Sequence, residues 1–462
     1  MNDAVVPVLN ESLLVKYAKS GPRYTSYPTA PQFHEGFTED SFIAEVQRTN
    51  AAQHQAPVSL YFHLPFCKSV CFFCGCNVTF TSDRKRPAPY IQLLLQEMDL
   101  VLRHMKPGRK VVQLHWGGGT PTFFAPPELA QLFGEIRARF ELDKNAEVGV
   151  EIDPRETTAA HLKTLSTCGF NRLSMGVQDF DAQVQEAVNR IQPESLTRST
   201  IKEARDLGFT SINVDLIYGL PYQTPETFER TIHTIIDLSP DRIALFNFAY
   251  LPEMIRHQKA IKSDALPSSQ AKMTILNHAI LTLTSAGYRY IGMDHFAKPT
   301  DEMCVAQDNA QLYRNFQGYS THAGCDLYAF GVSSISQVGN TYSQNYKNIH
   351  DYEKAVSAGH IPVQRGISLS ADDLIRREVI MTLLCSFMVD KAAFEKSSGI
   401  AFDEYFVDAQ REINELIADG LLIEKGSVLE VTPVGRLLVR NIAMAFDTYL
   451  KKNAEAKFSR TV

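Results

Sequence analysis

Six short β-rich runs alternate with helical patterns between residues 58 and 285 of this 462-residue chain. This alternation predicts βα units and a parallel sheet, because two neighbouring parallel strands need a long crossover, usually a helix. Since fewer than eight equivalent units are present, the pattern indicates an α/β barrel or partial barrel. The predicted strands are Val58–Leu64, Val111–Trp116, Glu147–Ile152, Arg172–Val177, Ile212–Tyr218 and Arg242–Phe248.

The segments that follow these strands have the pattern of helices. Most begin with a proline in the first turn, which is a common start of a helix. Polar and unusual residues follow the strands directly, and barrels carry their chemistry at the carboxyl ends of their strands. The predicted helices are Pro89–His104, Pro127–Phe140, Thr158–Cys168, Pro193–Leu207, Pro225–Leu238 and Ser268–Ser285.

The chain divides into three predicted parts. Residues 1–53 contain a turn-rich stretch and form an N-terminal arm, and residues 54–360 form the barrel with an extension. Residues 361–462 lose the strand–helix rhythm and are predicted to form a mainly helical, winged-helix-like C-terminal domain. Its predicted elements are the helices Asp372–Cys385, Phe402–Asp419 and Pro433–Leu450 and a hairpin at Leu421–Leu429.

Charge and hydropathy exclude several classes of function. With 46 basic and 52 acidic residues the net charge is −6. This charge disfavours binding of nucleic acid or of an anionic membrane over a broad face of the protein. The chain contains no apolar run of the roughly 18–20 residues that a membrane span needs. Its first residues lack the basic region of a secretory signal. We therefore expect a soluble, cytoplasmic protein.

Four cysteines crowd into one loop after the first predicted strand: Cys67, Cys71, Cys74 and Cys76. The spacing C-x3-C-x2-C brings three thiolates to one face of a metal centre. Structural zinc sites usually pair two C-x2-C units, and no second pair follows. A cubane iron–sulfur cluster held by three cysteines keeps one iron open for a substrate or cofactor. A structural zinc or a few reactive thiols are the alternative, and we expect Cys76 not to be a ligand.

This cysteine spacing, followed by Gly-Gly-Gly-Thr-Pro after the second strand, resembles the radical S-adenosylmethionine (SAM) enzymes. Within that superfamily the chain resembles the oxygen-independent coproporphyrinogen III oxidases, also called coproporphyrinogen dehydrogenases, nearly from end to end. The fold that the resemblance implies is a partial (β/α)6 barrel. The matching stretches are residues 22–30, 71–77, 115–122, 151–156, 171–180, 214–221, 291–297, 314–319, 331–336 and 458–460.

The resemblance implies a [4Fe–4S] cluster on Cys67, Cys71 and Cys74, with the amino and carboxylate groups of SAM on the fourth iron. It also implies a set of residues around that SAM, in which Tyr61 lies beside the reacting cofactor as a catalytic residue. Glycines at such a position let backbone approach a ligand closely. The implied SAM-binding residues are Tyr61, Gly118, Gly119, Thr120, Glu151 and Ile335.

The family carries a second SAM near the first. An arginine can hold its carboxylate and an aspartate its ribose hydroxyls or ammonium group. The positions that match this second site are Phe73, Gly119, Thr120, Gln178, Arg190, Asp215 and Ala249.

The implied reaction is the oxygen-independent conversion of coproporphyrinogen III to protoporphyrinogen IX by a 5′-deoxyadenosyl radical. Cationic groups must then meet the substrate's propionates, and Arg23 and Arg314 are candidates. A low-potential electron donor protein, such as flavodoxin or ferredoxin, and a monomeric state are further expectations.

Three alternatives to this function stay open. A haem chaperone of the same superfamily is the first, although Cys76 and the N-terminal arm favour the enzyme. A different radical SAM enzyme, such as a methyltransferase, is the second. A zinc-stabilised interaction protein is the third.

Overall fold

A mixed sheet of twelve strands runs through the molecule. The computed structural model describes residues 11–53 and 55–452. In chain order the twelve strands are β1 (Val58–Leu64), β2 (Lys110–Gly118), β3 (Glu141–Ile152), β4 (Arg172–Gln178), β5 (Ser211–Tyr218), β6 (Arg242–Asn247), β7 (Arg289–Gly292), β8 (His295–Ala297), β9 (Asp326–Phe330), β10 (Ile335–Val338), β11 (Thr341–Asn345) and β12 (Val363–Ser368).

The strands from β1 to β6 are parallel and lie side by side in chain order. All six predicted strands are confirmed, with ends that differ by at most six residues. Because both faces of the sheet are covered, apolar side chains such as Leu60, Leu114 and Val150 are fully buried. The six parallel strands form a partial barrel, because the sheet ends at the edge strands β12 and β7, which do not pair with each other.

The sequence did not predict strand β9, which pairs in parallel with the first strand, Val58 opposite Asp326. The strands β10, β11 and β12 then extend that edge in antiparallel order, and β8 and β7 extend the other. These strands are short and come from distant parts of the chain. Their pairing is therefore a long-range feature that local periodicity does not show.

The helices between the parallel strands agree with the prediction to within two residues. One further short helix precedes the fourth of them, and two helices cover the extension. Their bounds are Pro87–Leu102, Pro126–Arg139, Ala159–Cys168, Ala182–Ala187, Glu194–Asp206, Pro225–Leu238, Ser269–Ser285, Glu302–Asp308 and Ile349–Ser357.

The N-terminal arm, which contains the helices Glu11–Tyr17 and Glu39–Asn50, packs on the C-terminal part of the chain. Arg440 donates hydrogen bonds to the carbonyls of Gly21 and Pro22, and the Tyr24 hydroxyl donates to Asp447 at 2.9 Å. Arm and C-terminal residues thus share one core, whereas the three-part division drawn from the sequence stays a prediction.

The C-terminal part has more breaks than the sequence indicated. The single helices predicted at Phe402–Asp419 and Pro433–Leu450 are wrong as continuous elements. The second is interrupted because Asp447 accepts from the backbone N–H groups of Tyr449 and Leu450 and so begins a new turn. The helices are Ala371–Ser386, Lys391–Ser398, Phe402–Tyr405, Gln410–Ala418, Pro433–Leu437, Val439–Met444 and Thr448–Lys452.

The predicted hairpin is present as Leu422–Lys425 and Val428–Val431, with Gly426 in its turn. A third strand, Met388–Asp390, which the sequence did not indicate, pairs with it. Among the described residues no helix combines the length and the apolar character that crossing a bilayer requires. The matching stretch at 458–460 lies outside the described residues.

Candidate functional site

A cleft opens at the carboxyl ends of the parallel strands and encloses about 840 Å³, counting its open mouth. This is the position at which barrels of this kind carry their chemistry. Most of the residues singled out in the sequence line this one cleft. They are Cys67, Cys71, Phe73, Cys74, Cys76, Gly118, Gly119, Thr120, Glu151, Gln178, Arg190 and Asp215.

The cysteine loop is fixed at its base by two short parallel strands, Phe66–Cys67 and Thr79–Phe80. Two guanidinium groups reach the Cys71 sulfur, Nη2 of Arg155 at 3.2 Å and Nη1 of Arg190 at 3.6 Å. The Cys67 sulfur lies 3.4 Å from the Thr120 hydroxyl. Hydrogen bonds of this kind orient the sulfur of a cysteine that binds a metal centre.

The thiols of the loop have different acidities. A hydrogen bond from Cys76 lowers the pKa of Cys74 to about 6 and raises that of Cys76. Burial raises the pKa of Cys67 to about 12. Within this neighbouring pair Cys74 is therefore the more acidic thiol, and Cys76 donates to it.

Cys67, Cys71 and Cys74 line the same cleft. In the described part of the chain, no three His, Cys, Asp or Glu side chains come close enough to hold one metal ion. A cubane cluster held by three cysteines takes each thiolate on a separate iron and keeps the fourth iron open for a ligand.

The glycine loop after β2 brings backbone up to the cleft. Gly118 has a φ of +110°, and a Cβ there would lie 2.6 Å from the His63 ring. A Cβ on Gly119 would lie 2.6 Å from the carbonyl carbon of Pro65. Only glycine satisfies both positions, and the exposed backbone forms a cradle for a ligand.

Glu151 ends β3 with its carboxylate in the cleft. It accepts from the Gly118 N–H at 3.2 Å and from Nε2 of His115 at 3.3 Å. Burial opposes ionisation of Glu151, but the hydrogen bond and charge of His115 outweigh it, so its pKa is lowered. The cleft therefore presents a carboxylate anion that can meet an ammonium group.

A compact ion-pair network closes the side of the cleft behind Cys71. Asp153 accepts from Nη2 of Arg155 at 2.6 Å and from Nη1 of Arg190 at 3.0 Å. Burial opposes its ionisation, but the charges of Arg190 and Arg155 lower its pKa. Nε of Arg190 and Oε1 of Gln178 have no hydrogen-bond partner in the described chain, so both are available to a ligand.

Asp215 stands deeper on β5. Nδ2 of Asn213 donates to it at 2.7 Å. Burial, followed by the negative charge of Glu151, raises the pKa of Asp215 to about 7. Two acidic groups thus share one side of the cleft, and a cationic ligand would relieve their repulsion.

Three predicted residues do not line the cleft directly. Tyr61 lies on β1, where its ring stacks on His115 and its hydroxyl donates to Nδ1 of His63 at 3.1 Å. The Ala249 carbonyl accepts from Gln258, which also donates to the Phe73 carbonyl. Ile335 begins β10, two strands from Tyr61, and packs half-buried against an apolar cluster of the extension.

The sequence assigned no site role to four residues that organise the site: His63, His115, Asp153 and Arg155. His63 lies under Gly118 and donates to the Asn77 carbonyl at 2.8 Å. His115 has a usable signal, since it precedes the glycine loop by two residues and so shares its face of β2. Asp153 and Arg155 lie in the matching stretch 151–156, but only the fold brings Arg190 to Asp153 and to the Cys71 sulfur that Arg155 also reaches.

The chain is similar to known proteins in sequence and in structure. A family model described as the radical SAM superfamily matches residues 61–235, and one described as the HemN C-terminal domain matches residues 369–438. The chain is 46% identical over 452 residues to the oxygen-independent coproporphyrinogen III oxidase of Pseudomonas aeruginosa, covering 97% of this chain and 98% of that protein.

Two further similarities extend over the whole chain. The oxygen-independent coproporphyrinogen III oxidase of Escherichia coli K12 is 46% identical over 455 residues, covering 98% of each chain. A solved structure, described as coproporphyrinogen III oxidase (HemN) from Escherichia coli, a radical SAM enzyme, superposes with a TM-score of 0.90. It is 44% identical and covers 96% of this chain and 100% of that chain.

Proposed function

The chain belongs to the family of oxygen-independent coproporphyrinogen III oxidases, and from this premise we propose which of its residues carry the reaction. The enzyme is a radical SAM oxidoreductase that uses a [4Fe–4S] cluster and SAM. It converts two propionates of coproporphyrinogen III to vinyl groups without oxygen, giving protoporphyrinogen IX in haem biosynthesis. The observation that supports the site is the cleft shared by the cysteine loop and the glycine loop.

Cys67, Cys71 and Cys74 would hold the cluster. Arg155 and Arg190 donate toward the Cys71 sulfur, and such hydrogen bonds tune the potential of a bound cluster. Cys76 would donate to Cys74 instead of binding iron, in keeping with the hydrogen bond between their thiols.

The residues opposite the cysteines would position SAM. The Gly118 and Gly119 backbone, with Thr120, would contact the methionine end, and Glu151 would accept from its ammonium group. Tyr61, fixed by His63 and His115, would stay beside the cofactor as a rigid wall.

A second SAM would use the other side of the cleft. Arg190 carries an unpartnered Nε for a carboxylate, and Gln178 carries an unpartnered Oε1 for an N–H donor. Asp215 would accept from ribose hydroxyls or an ammonium group. Phe73, Gly119, Thr120 and Ala249 complete the proposed set.

The cofactors supply reductive cleavage of SAM to a hydrogen-abstracting 5′-deoxyadenosyl radical. The protein's own contribution is to orient the propionate and keep water and oxygen away. The arm and C-terminal part pack on each other and would cover the open mouth. We further propose a monomer in the cytoplasm, reduced by a low-potential donor such as flavodoxin or ferredoxin.

The test is an anaerobic reaction of reconstituted protein with SAM, a reductant and coproporphyrinogen III. We expect a product that has lost two carboxyl groups, together with 5′-deoxyadenosine. Tight haem binding without decarboxylation would instead identify the chaperone, an alternative that the full-length relatives do not favour. Zinc in place of iron and sulfide would contradict the cluster.

A further inference from the structure

Two arginines that do not line the cleft lie near strands β6 and β8. Arg23 belongs to the N-terminal arm, and Arg314 to the short strand Tyr313–Asn315, which pairs with Gly318–Ser320. His295 at the start of β8 lies between them: its ring packs edge-on against Phe246, over which Arg23 lies, and against Tyr319, over which Arg314 lies. We call Arg23 and Arg314 the arginine pair.

Arg314 is buried with an unused hydrogen-bonding capacity. Its residue exposure is 4%, and within the described chain neither Nε nor Nη1 has a hydrogen-bond partner. Its guanidinium lies over the Tyr319 ring, 4.9 Å from the centroid, and makes no ion pair within residues 11–53 and 55–452. A buried cation without an anion is costly, so this arrangement indicates a site for one.

Arg23 faces the same region and is reachable from outside. Its Nη1 lies 4.0 Å from Asp294, and its side chain is 35% exposed. Its Nη2 donates to the Asn247 carbonyl at 3.3 Å, two residues before Ala249. Arg440 holds the arm here through the Gly21 and Pro22 carbonyls.

The register of the sheet gives the distance from this region to the cleft. Asp215 pairs with Ala244 of β6, and Ala244 pairs with His295 of β8. Asp215 and His295 are therefore two strand spacings apart at one level, about 9–10 Å. A flat ligand that spans the mouth can thus reach the cleft with one edge and the arginine pair with another.

We propose that Arg23 and Arg314 bind the carboxylates of those propionates of coproporphyrinogen III that are not at the reacting position. The proposal rests on the proposed function and names residues for its substrate. A guanidinium presents two parallel N–H donors to a carboxylate, which a lysine cannot do. The arginine pair would fix the tetrapyrrole so that one propionate at a time enters the cleft.

The test measures binding of coproporphyrin III, the unreactive aromatic form of the substrate, to the anaerobically reconstituted enzyme with SAM. Its tetramethyl ester, which lacks the charges, is titrated in parallel. We expect Arg314→Gln to weaken binding of the free acid about 10- to 100-fold, the effect of losing hydrogen bonds to a charged group. Arg23→Gln should weaken it about 3- to 10-fold, since Arg23 is partly exposed. Neither change should weaken the ester.

Arg314→Lys and a distant arginine provide the controls. Arg314→Lys keeps the positive charge, so it should bind the free acid more tightly than Arg314→Gln and less tightly than wild type. If Arg314→Gln fails to fold, the comparison of Arg314→Lys with wild type provides the test. Arg109 is equally buried but pairs with Asp326 at the opposite end of the strands. Arg109→Gln should leave the ratio of acid to ester affinity unchanged.

Two results would overturn the proposal: unchanged affinity for the free acid in the variants, or equal weakening of acid and ester. Failure of the proposed function is seen separately, because wild-type protein would then bind coproporphyrin III without decarboxylating coproporphyrinogen III. If wild-type protein decarboxylates the substrate and the variants keep their acid-to-ester ratio, the arginine assignment fails and the function stands.

Discussion

Asp215 and His295 stand at one level of the sheet, on either side of Ala244, and their surroundings carry opposite charge. Burial and then Glu151 raise the pKa of Asp215 to about 7. Burial and then Arg314 lower the pKa of His295 to about 4. We call the surroundings of Asp215 and Glu151 the acidic side of the mouth, and those of His295, Arg23 and Arg314 the basic side. Arg155 and Arg190 lie behind Cys71, next to the acidic side.

This difference matches the chemistry of the two ligands. SAM brings an ammonium and a sulfonium group, which suit the acidic side, and a carboxylate, for which Arg190 carries an unpartnered Nε. The substrate brings four carboxylates, which suit the basic side.

The largest effect is expected from a substitution that prevents binding of the proposed cluster. Cys71→Ser should abolish stable binding of iron and sulfide after reconstitution, because Cys71 is one of three proposed ligands. Cys168→Ser, at a half-buried cysteine outside the cleft, should bind wild-type amounts. Iron and acid-labile sulfide analysis gives the answer, and equal iron in both variants would contradict the assignment.

Asp215→Asn tests the charge on the acidic side. The folded pKa of about 7 lies above the ordinary value of 3.8, so wild-type stability falls as pH rises from 3.8 through 7. The asparagine variant should lack this loss and be more stable at pH 8, by at most about 4 kcal/mol. Urea midpoints of anaerobically purified protein from pH 5 to pH 8 measure it. If the urea midpoints of variant and wild type changed with pH in the same way, the pKa of Asp215 would not be raised in the folded protein.

His295→Gln tests the basic side, and its pH dependence has the opposite sign. The folded pKa of about 4 lies below the ordinary value of 6.5, so wild-type stability falls as pH drops through 6.5 toward 4. The full effect is at most about 3 kcal/mol, and the variant should lack it. The same urea series, extended to pH 4.5, provides the measurement. A variant that loses stability on acidification as steeply as wild type would argue against a buried neutral His295.

The smallest effect is expected from removal of a negative charge on the basic side. Asp294 is the carboxylate beside Arg23, at 4.0 Å. Asp294→Asn should tighten coproporphyrin III binding about 3- to 10-fold, since a competing anion worth about 1 kcal/mol is removed. Titration at low and high salt should show the gain shrinking with salt. Weaker binding would mean that Asp294 mainly holds Arg23 in place.

The six parallel strands, their helices and the cysteine and glycine loops were predictable because each has a local signal. Alternating periodicity marks the strands, prolines mark helix starts, and crowded cysteines or glycines mark loops that need them. Most residues that line the cleft could also be predicted, because parallel strands bring their carboxyl ends to one edge of the sheet. Breaks such as the one at Asp447 were not predictable, because the apolar pattern continues across them.

The sequence by itself determined the class of fold, the position of the cysteine loop after the first strand and the family to which the chain belongs. Only the tertiary structure decided which charges are paired. Arg190 meets Asp153 and Cys71, whereas Arg314 is buried beside Tyr319 without a described anion. The physical reason is that burial and distance set the strength of an electrostatic interaction, and both arise from contacts between residues far apart in the chain.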